Sequence, residues 1–372
     1  MKKKLATKIL AASMVGVMAL GMTACGSGDT KDNGSSTGEK KASSDTTVGI
    51  VVKTATNAHF QDIAYGAMLA GKDLGVNVKV DNTATESDID GQITKCENMI
   101  SSGVDALILT ANDSTGVSAA VNAAHDAKIP FVTVDTTITN DWGDDVKEYM
   151  PNYIGVDHTQ MAYDMASQIF ESIGGKGNVV ILRGVDAASS SQERTAGFEK
   201  AIKEYESKGI KLVESQSASY DQDTATTTMA DILQAHKDVD VVLCCNDLMA
   251  VGAVTALKEN NMTVGADGVK VAGIDGNVIA LQSINKGEMY ATAYDWSILQ
   301  GYYAVQQAVD LINGKEVPET TMTPDTIITS ENVADYLPHG EELSQWKMGS
   351  ALNSVSDYMT NFLQKGIDMG TK

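Results

Sequence analysis

TVGIVVKTATNAHFQDIAYGAMLAGKDLGVNVKV, residues 47–80, decides the architecture. It opens on a short apolar run, Val48–Val52, which reads as a strand. Phe60, Ile63, Ala64, Ala67 and Leu74 then recur at helical spacing as far as Gly75, and Val76–Val80 is a second strand. The pattern repeats downstream: Ile89, Ile93, Cys96 and Ile100 share a helix face, Ala106–Leu109 is a strand, Val117, Val121 and Ala124 share a helix face, and Phe131–Val134 is a strand. Alternation of this kind predicts βαβ units and a parallel sheet covered on both faces.

A polar stretch, TTITNDWGDDVKEYMPN (136–152), interrupts the pattern, which then starts again. Strands are expected at Tyr153–Val156, Val179–Leu182, Lys211–Glu214, Val239–Cys245 and Val271–Ile274, with Ala162, Met165, Ala166, Ile169 and Ile173 forming a helix face between the first two. The architecture predicted is α/β, two Rossmann-like lobes with parallel sheets of similar size, joined near Val156. Met289–Tyr294 precedes a helix at Ser297–Asn313 and a strand at Thr326–Ile328, and periodicity does not assign these to either lobe. In the tail from Glu331, Leu352, Val355, Met359 and Phe362 stand at helical spacing, read as a terminal helix packing on its own domain.

The N-terminal end is of another kind. Lys2, Lys3, Lys4 and Lys8 precede an apolar run from Ile9 to Ala24, too short to span a bilayer comfortably, so residues 1–24 read as a secretory signal. Met22-Thr23-Ala24-Cys25 resembles the bacterial lipobox, which implies a diacylglycerol thioether on Cys25. Residues 26–45 hold one apolar side chain, Ala42, and are expected to stay disordered as a tether spanning roughly 25 Å. The formal net charge is −21, and removal of residues 1–24 would take away four lysines and no acid, which argues against nucleic acid as a partner. Four cysteines make no disulfide framework: Cys25 is assigned to lipid, Cys96 to a helix, and Cys244-Cys245 to a buried strand as reduced packing residues.

Open α/β sheets bind ligands at the carboxyl ends of their strands. Polar side chains stand there: Asn57 and His59, Asn112-Asp113, Asp135, Arg183, Asn246-Asp247 and Asp275. Carboxylates, amides and a guanidinium fork suit vicinal hydroxyls. Taken together with VVKTATNAHF (51–60), VTVDT (132–136), SSSQERTAGF (189–198), CNDLMAVGAVTAL (245–257), VAGIDGN (271–277) and MYATAYD (289–295), the chain resembles the ribose/galactose-type periplasmic sugar-binding proteins over about residues 47–337. These are the solute-binding subunits of ABC importers.

That resemblance implies a three-segment hinge. Residues 46–155 and 296–325 would form the N-terminal lobe, and 156–295 with 326–372 the C-terminal lobe. It implies that Asn57, His59 and Phe60 line the cleft on one side around Asp135 as central acceptor. Arg194 would be the donor fork of the other lobe, with Asn246 and Asp275 gripping adjacent hydroxyls, Tyr220 sandwiching a pyranose against Phe60, and Asp295 at the third crossing. Lys53, His59, Thr136 and Ser190 depart from the pattern of relatives and leave the sugar open.

The implied partners are a monosaccharide or polyol, an ABC permease, and the membrane through Cys25, for a monomer held at the outer face of the cell membrane without cofactor. A sensor feeding a membrane kinase or chemoreceptor is the competing role. Catalysis finds little support: His59, His125, His158, His236 and His339 show no metal-ligand spacing, no GxSxG elbow or P-loop occurs, and Asp81–Gly91 lacks calcium-loop spacing.

Overall fold

The computed structural model describes residues 42–139 and 152–370; the signal segment, Cys25 and nearly all of the tether lie outside the described residues. Two six-stranded sheets form. The first has the order β2-β1-β3-β4-β5-β11, built from β1 (Thr47–Thr54), β2 (Asn77–Thr83), β3 (Ala106–Leu109), β4 (Phe131–Val134), β5 (Tyr153–Gly155) and β11 (Thr320–Met322). The second repeats it as β7-β6-β8-β9-β10-β12, from β6 (Gly177–Arg183), β7 (Ile210–Ser217), β8 (Val241–Cys244), β9 (Lys270–Ile274), β10 (Ala291–Tyr294) and β12 (Thr326–Thr329). Every pairing is parallel except β10 with β12.

The apolar run that opens β1 shows why these strands look continuous rather than alternating. Side chains alternate faces along a strand, so Val48, Ile50 and Val52 join one core with Phe60 and Ile63 of α1 (Ala58–Leu74), while Val51 joins another with Cys96, Met99 and Val121. Both faces are covered, and both must be apolar.

The strand at Tyr153, which opens the second series by periodicity but falls in the first lobe on the bounds the resemblance implies, lies in the first sheet between β4 and β11. Three residues of strand carry no period that distinguishes an edge from a beginning. β11, on a polar TTM segment, was not legible for the same reason. The helix α9 (Ser297–Ile312) packs on α1 in the first lobe, with backbones so close that a Cβ on Gly66 would lie 1.9 Å from the Ile298 carbonyl oxygen and one on Gly301 1.8 Å from that of Ile63. Glycine is required where helices approach so closely.

The chain passes between lobes after β5, after β10 and between β11 and β12. Thr323, in the third passage, donates its backbone N–H to Gly155 O (2.7 Å) and its hydroxyl to Asp295 O (3.0 Å), so it laces all three together.

Beyond β12 the tail forms α10 (Leu337–Gln345) and α11 (Asp357–Gly370). The terminal helix therefore begins after Leu352 and Val355, which pack on the core from the preceding irregular segment. The tail also reaches beyond its own domain. Trp346 meets Tyr65 of α1 edge-on at 5.3 Å. Phe362 stacks on His339 at 4.1 Å and on Trp296, at the second passage, at 4.8 Å. Asp62 of α1 accepts hydrogen bonds from Tyr294 (2.6 Å) and Ser297 (2.7 Å) and lies 3.1 Å from His339 Nε2.

Candidate functional site

In both sheets the strand order reverses at one strand, β1 in the first and β6 in the second, and the crevice at the carboxyl ends beside that switch is where such sheets hold ligands. The two crevices face each other. They enclose a narrow cavity lined by Lys53, Asn57, His59, Phe60, Glu86 and Asp135 from the first lobe and Ser190, Arg194, Tyr220, Asn246 and Asp275 from the second. The lobes also touch directly: Ser189 N–H donates to Ser114 Oγ (2.9 Å), Thr137 N–H to Ser189 Oγ (3.0 Å) and Asn277 Nδ2 to Asn57 Oδ1 (2.9 Å).

Several site residues are held in backbone conformations that ordinary side chains avoid. Asp135 (φ 64°), Tyr220 (φ 62°) and Asp275 (φ 124°) all have positive φ without being glycine. Each such residue costs on the order of 1–3 kcal/mol, and strain of this sort concentrates at ligand clamps. The Tyr220 ring lies against Gly184 at the end of β6, where a Cβ would be 2.2 Å from the ring.

The charges interlock. Arg194 is placed by Nη1 donating to Cys245 O (2.8 Å) and Nε to His158 Nδ1 (3.2 Å), and its two terminal nitrogens stand 3.3 Å from Asp275, 3.7 Å from Asp135 and 3.7 Å from Asp295. Lys53 Nζ lies 3.5 Å from Asp135, and His59 lies 3.3 Å from Asp135 and 3.5 Å from Asp295.

Burial opposes charge on His59, but the carboxylates of Asp295, Asp275 and Asp135 overcome it and push its pKa up to about 10. Burial likewise opposes ionisation of Asp135, yet Lys53 and His59 hold it well below the usual carboxylate range. His158 behaves oppositely: burial and then the neighbouring Arg194 bring it down to about 3, so it accepts from Arg194 as a neutral ring. Burial raises Asp295 to about 6 and Glu86 to about 7 against the pull of His59 and Lys53 respectively.

Despite this crowding, His59 Nδ1 and Nε2, Asp135 Oδ1 and both oxygens of Asp295 are buried without a hydrogen bond. Buried polar atoms are otherwise nearly always hydrogen-bonded, so those of His59 and Asp135, which line the cavity, mark where a ligand's groups belong. His59, Asp135 and Asp295 bring ligating atoms within 4.8 Å of one another. Lys53 and Arg194 stand against the same carboxylates and already supply the positive charge a divalent ion would bring, so the set suits hydroxyl groups better than a metal.

Of the residues expected to bind, eight line the cavity and Asp295 lies behind His59 and Arg194. Asn57 has no capacity left, because Oδ1 accepts from His59 N and Asn277 Nδ2 while Nδ2 donates to Glu86 and Asp275. It ties the lobes rather than offering a free amide. Asn246 spends its oxygen capping α7 (Asp247–Glu259) at Met249 N and donates from Nδ2 to Tyr220 O at 3.4 Å, which leaves one amide hydrogen for a ligand.

Phe60 and Tyr220 do not face each other across an open slot; Lys53 Nζ lies over both rings, 5.5 and 5.6 Å from their centroids. Arg183, Asn112 and Asp113 serve their own loops: Arg183 pairs with Asp186, Asn112 N donates to Gln92, and Asp113 caps the turn at Thr115 and Gly116. Sequence reasoning missed Glu86 and Asn277. Glu86 lies in a polar loop where nothing in the spacing distinguishes it, whereas Asn277 stands two residues after Asp275 and was within reach.

A family model described as periplasmic binding protein domain matches residues 48–316. The chain belongs to the periplasmic binding protein family. It is 31% identical over 290 residues to the ribose import binding protein of Bacillus subtilis, covering 78% of this chain and 88% of that one. A solved ABC transporter solute-binding protein of Actinobacillus succinogenes with bound D-allose is 30% identical, covers 78% of this chain and 100% of its own, and superposes with a TM-score of 0.71. Another, from Bacillus halodurans with bound myo-inositol, is 26% identical, covers 81% and 99%, and gives 0.68. Membership implies an extracytoplasmic location, and these relatives are transport proteins rather than enzymes. No described helix is long and apolar enough to cross a membrane.

Proposed function

We propose that this chain is the solute-binding subunit of an ABC importer that closes on one monosaccharide or related polyol. Three buried polar atoms without a hydrogen bond, His59 Nδ1 and Nε2 and Asp135 Oδ1, stand at the cavity between the lobes with Asp295 behind them, and carry the reading. The relatives named for ribose, D-allose and myo-inositol support the same class.

Closure is the working motion. A ligand seated on Asp135 and His59 presents hydroxyls to Arg194, Asn246 and Asp275, and shifts the open–closed equilibrium by its differential affinity for the closed form. The permease would read that form. Cys25 would hold the domain at the outer face of the membrane through two acyl chains and the tether, which together give lasting anchorage where one chain does not.

A thermal-shift screen of the purified protein against aldoses, ketoses, polyols, nucleosides and amino acids tests this. Native-state ligands raise the midpoint by mass action. A rise with one or two sugars or polyols is expected; rises only with nucleosides or amino acids would overturn it.

A further inference from the structure

We infer that the cleft selects a polyol carrying a protonated amine, an amino sugar or an aminocyclitol, and that Glu86 is the residue that reads the ammonium. The inference rests on the polyol reading above and names the ligand class more closely.

Glu86 lines the cavity and is more than nine-tenths buried. Its one hydrogen bond is received from Asn57 Nδ2 at 3.0 Å. Among the described residues no lysine, arginine or histidine comes within 4 Å of it, whereas Asp135 and Asp275, the other carboxylates on the cavity wall, each have such a partner. Asp295, behind the wall, has two.

The cations Lys53, His59 and Arg194 thus face four carboxylates, and the one left over is Glu86. Carboxylates are seldom buried unless paired, because desolvation is not repaid without a counter-charge or a proton. Burial pushes Glu86 up to about 7 although Lys53 pulls the other way, because that cation stands beyond pairing distance and is engaged by Asp135. A ligand ammonium supplies the missing charge. A ligand hydroxyl could hydrogen-bond to Glu86 but brings no counter-charge, so the carboxyl would keep its proton, and a ligand carboxylate would be repelled by the ionised form.

Calorimetric titration of the full protein with matched pairs tests this: galactose and galactosamine, glucose and glucosamine, myo-inositol and an amino-inositol, with the corresponding uronic acids as anions. In at least one pair the amine should bind tenfold or more tighter than its hydroxyl partner, and Glu86→Gln, checked for folding by its melting curve, should erase that preference. Equal or tighter binding of the neutral member in every pair that binds overturns the inference while leaving the polyol reading intact. An amine preference that survives Glu86→Gln also overturns it. Absence of binding by any polyol, charged or neutral, sinks both.

Discussion

Replacing Arg194 with leucine separates binding from folding. The guanidinium is placed by Cys245 O and His158, and it presents two terminal nitrogens to a cavity walled by Asp135 and Asp275 with Asp295 behind. Hydrogen bonds involving a charged group contribute about 1.5–3 kcal/mol each. Two of them lost from a bound ligand amount to about 3–6 kcal/mol, or roughly 10²- to 10⁴-fold in Kd at 1.4 kcal/mol per tenfold.

A permanently buried pair broken this way would cost about 3–5 kcal/mol of stability. Here the carboxylates can escape into water by parting of the lobes, so the melting midpoint should fall by less than that. The apparent size in solution should grow, because closure would gather Asp135, Asp275 and Asp295 with only Lys53 and His59 to oppose them. Acid should reverse part of this: Asp295 already stands near 6, and losing Arg194 raises it further, so near pH 5 the repulsion is discharged and the lobes approach again. Calorimetry for affinity and small-angle X-ray scattering for dimensions, at pH 7.5 and 5, give the readouts. An Arg194→Leu protein that binds within tenfold of the wild type would refute the reasoning.

Other substitutions probe the frame. Phe362→Ala removes the ring stacked between His339 and Trp296 and should cost about 3–5 kcal/mol, read as a lowered denaturation midpoint. Gly66→Ala forces a methyl group against the Ile298 carbonyl and should cost about 1–3 kcal/mol, with circular dichroism melts as the check. His158 is held down to about 3 from its usual 6.5, so the unfolded chain takes its proton first; stability should decline as pH drops below 6.5 and go on declining toward 3, and His158→Gln should flatten that slope. Expressed in a bacterial host, the wild-type protein should partition into the detergent phase of a Triton X-114 separation and Cys25→Ala into the aqueous phase.

The two-lobed fold was legible because buried parallel strands are written as unbroken apolar runs, and Val48–Val52 or Val271–Ile274 can hardly be anything else. Where strands are three residues long, as at Tyr153 and Thr320, too few residues remain for a period. The polar groups at strand ends were legible as a set, since the switch point gathers them without knowledge of side-chain geometry. Their individual duties were not. Whether Asn57 has a free amide depends on Asn277 and Glu86, some 220 and 29 residues away in sequence. Lys53 lying over both Phe60 and Tyr220 depends on the two lobes meeting.

Trp296 has a consequence of its own. Its indole is wholly buried at the second passage between lobes, stacked on Phe362, and Nε1 donates to Thr326 at the third passage (3.1 Å). Any rotation about these passages changes the stacking and the hydrogen bond of one ring at once. The protein therefore carries a native optical gauge at its pivot, so that emission wavelength and lifetime would register cargo capture in real time with no label attached.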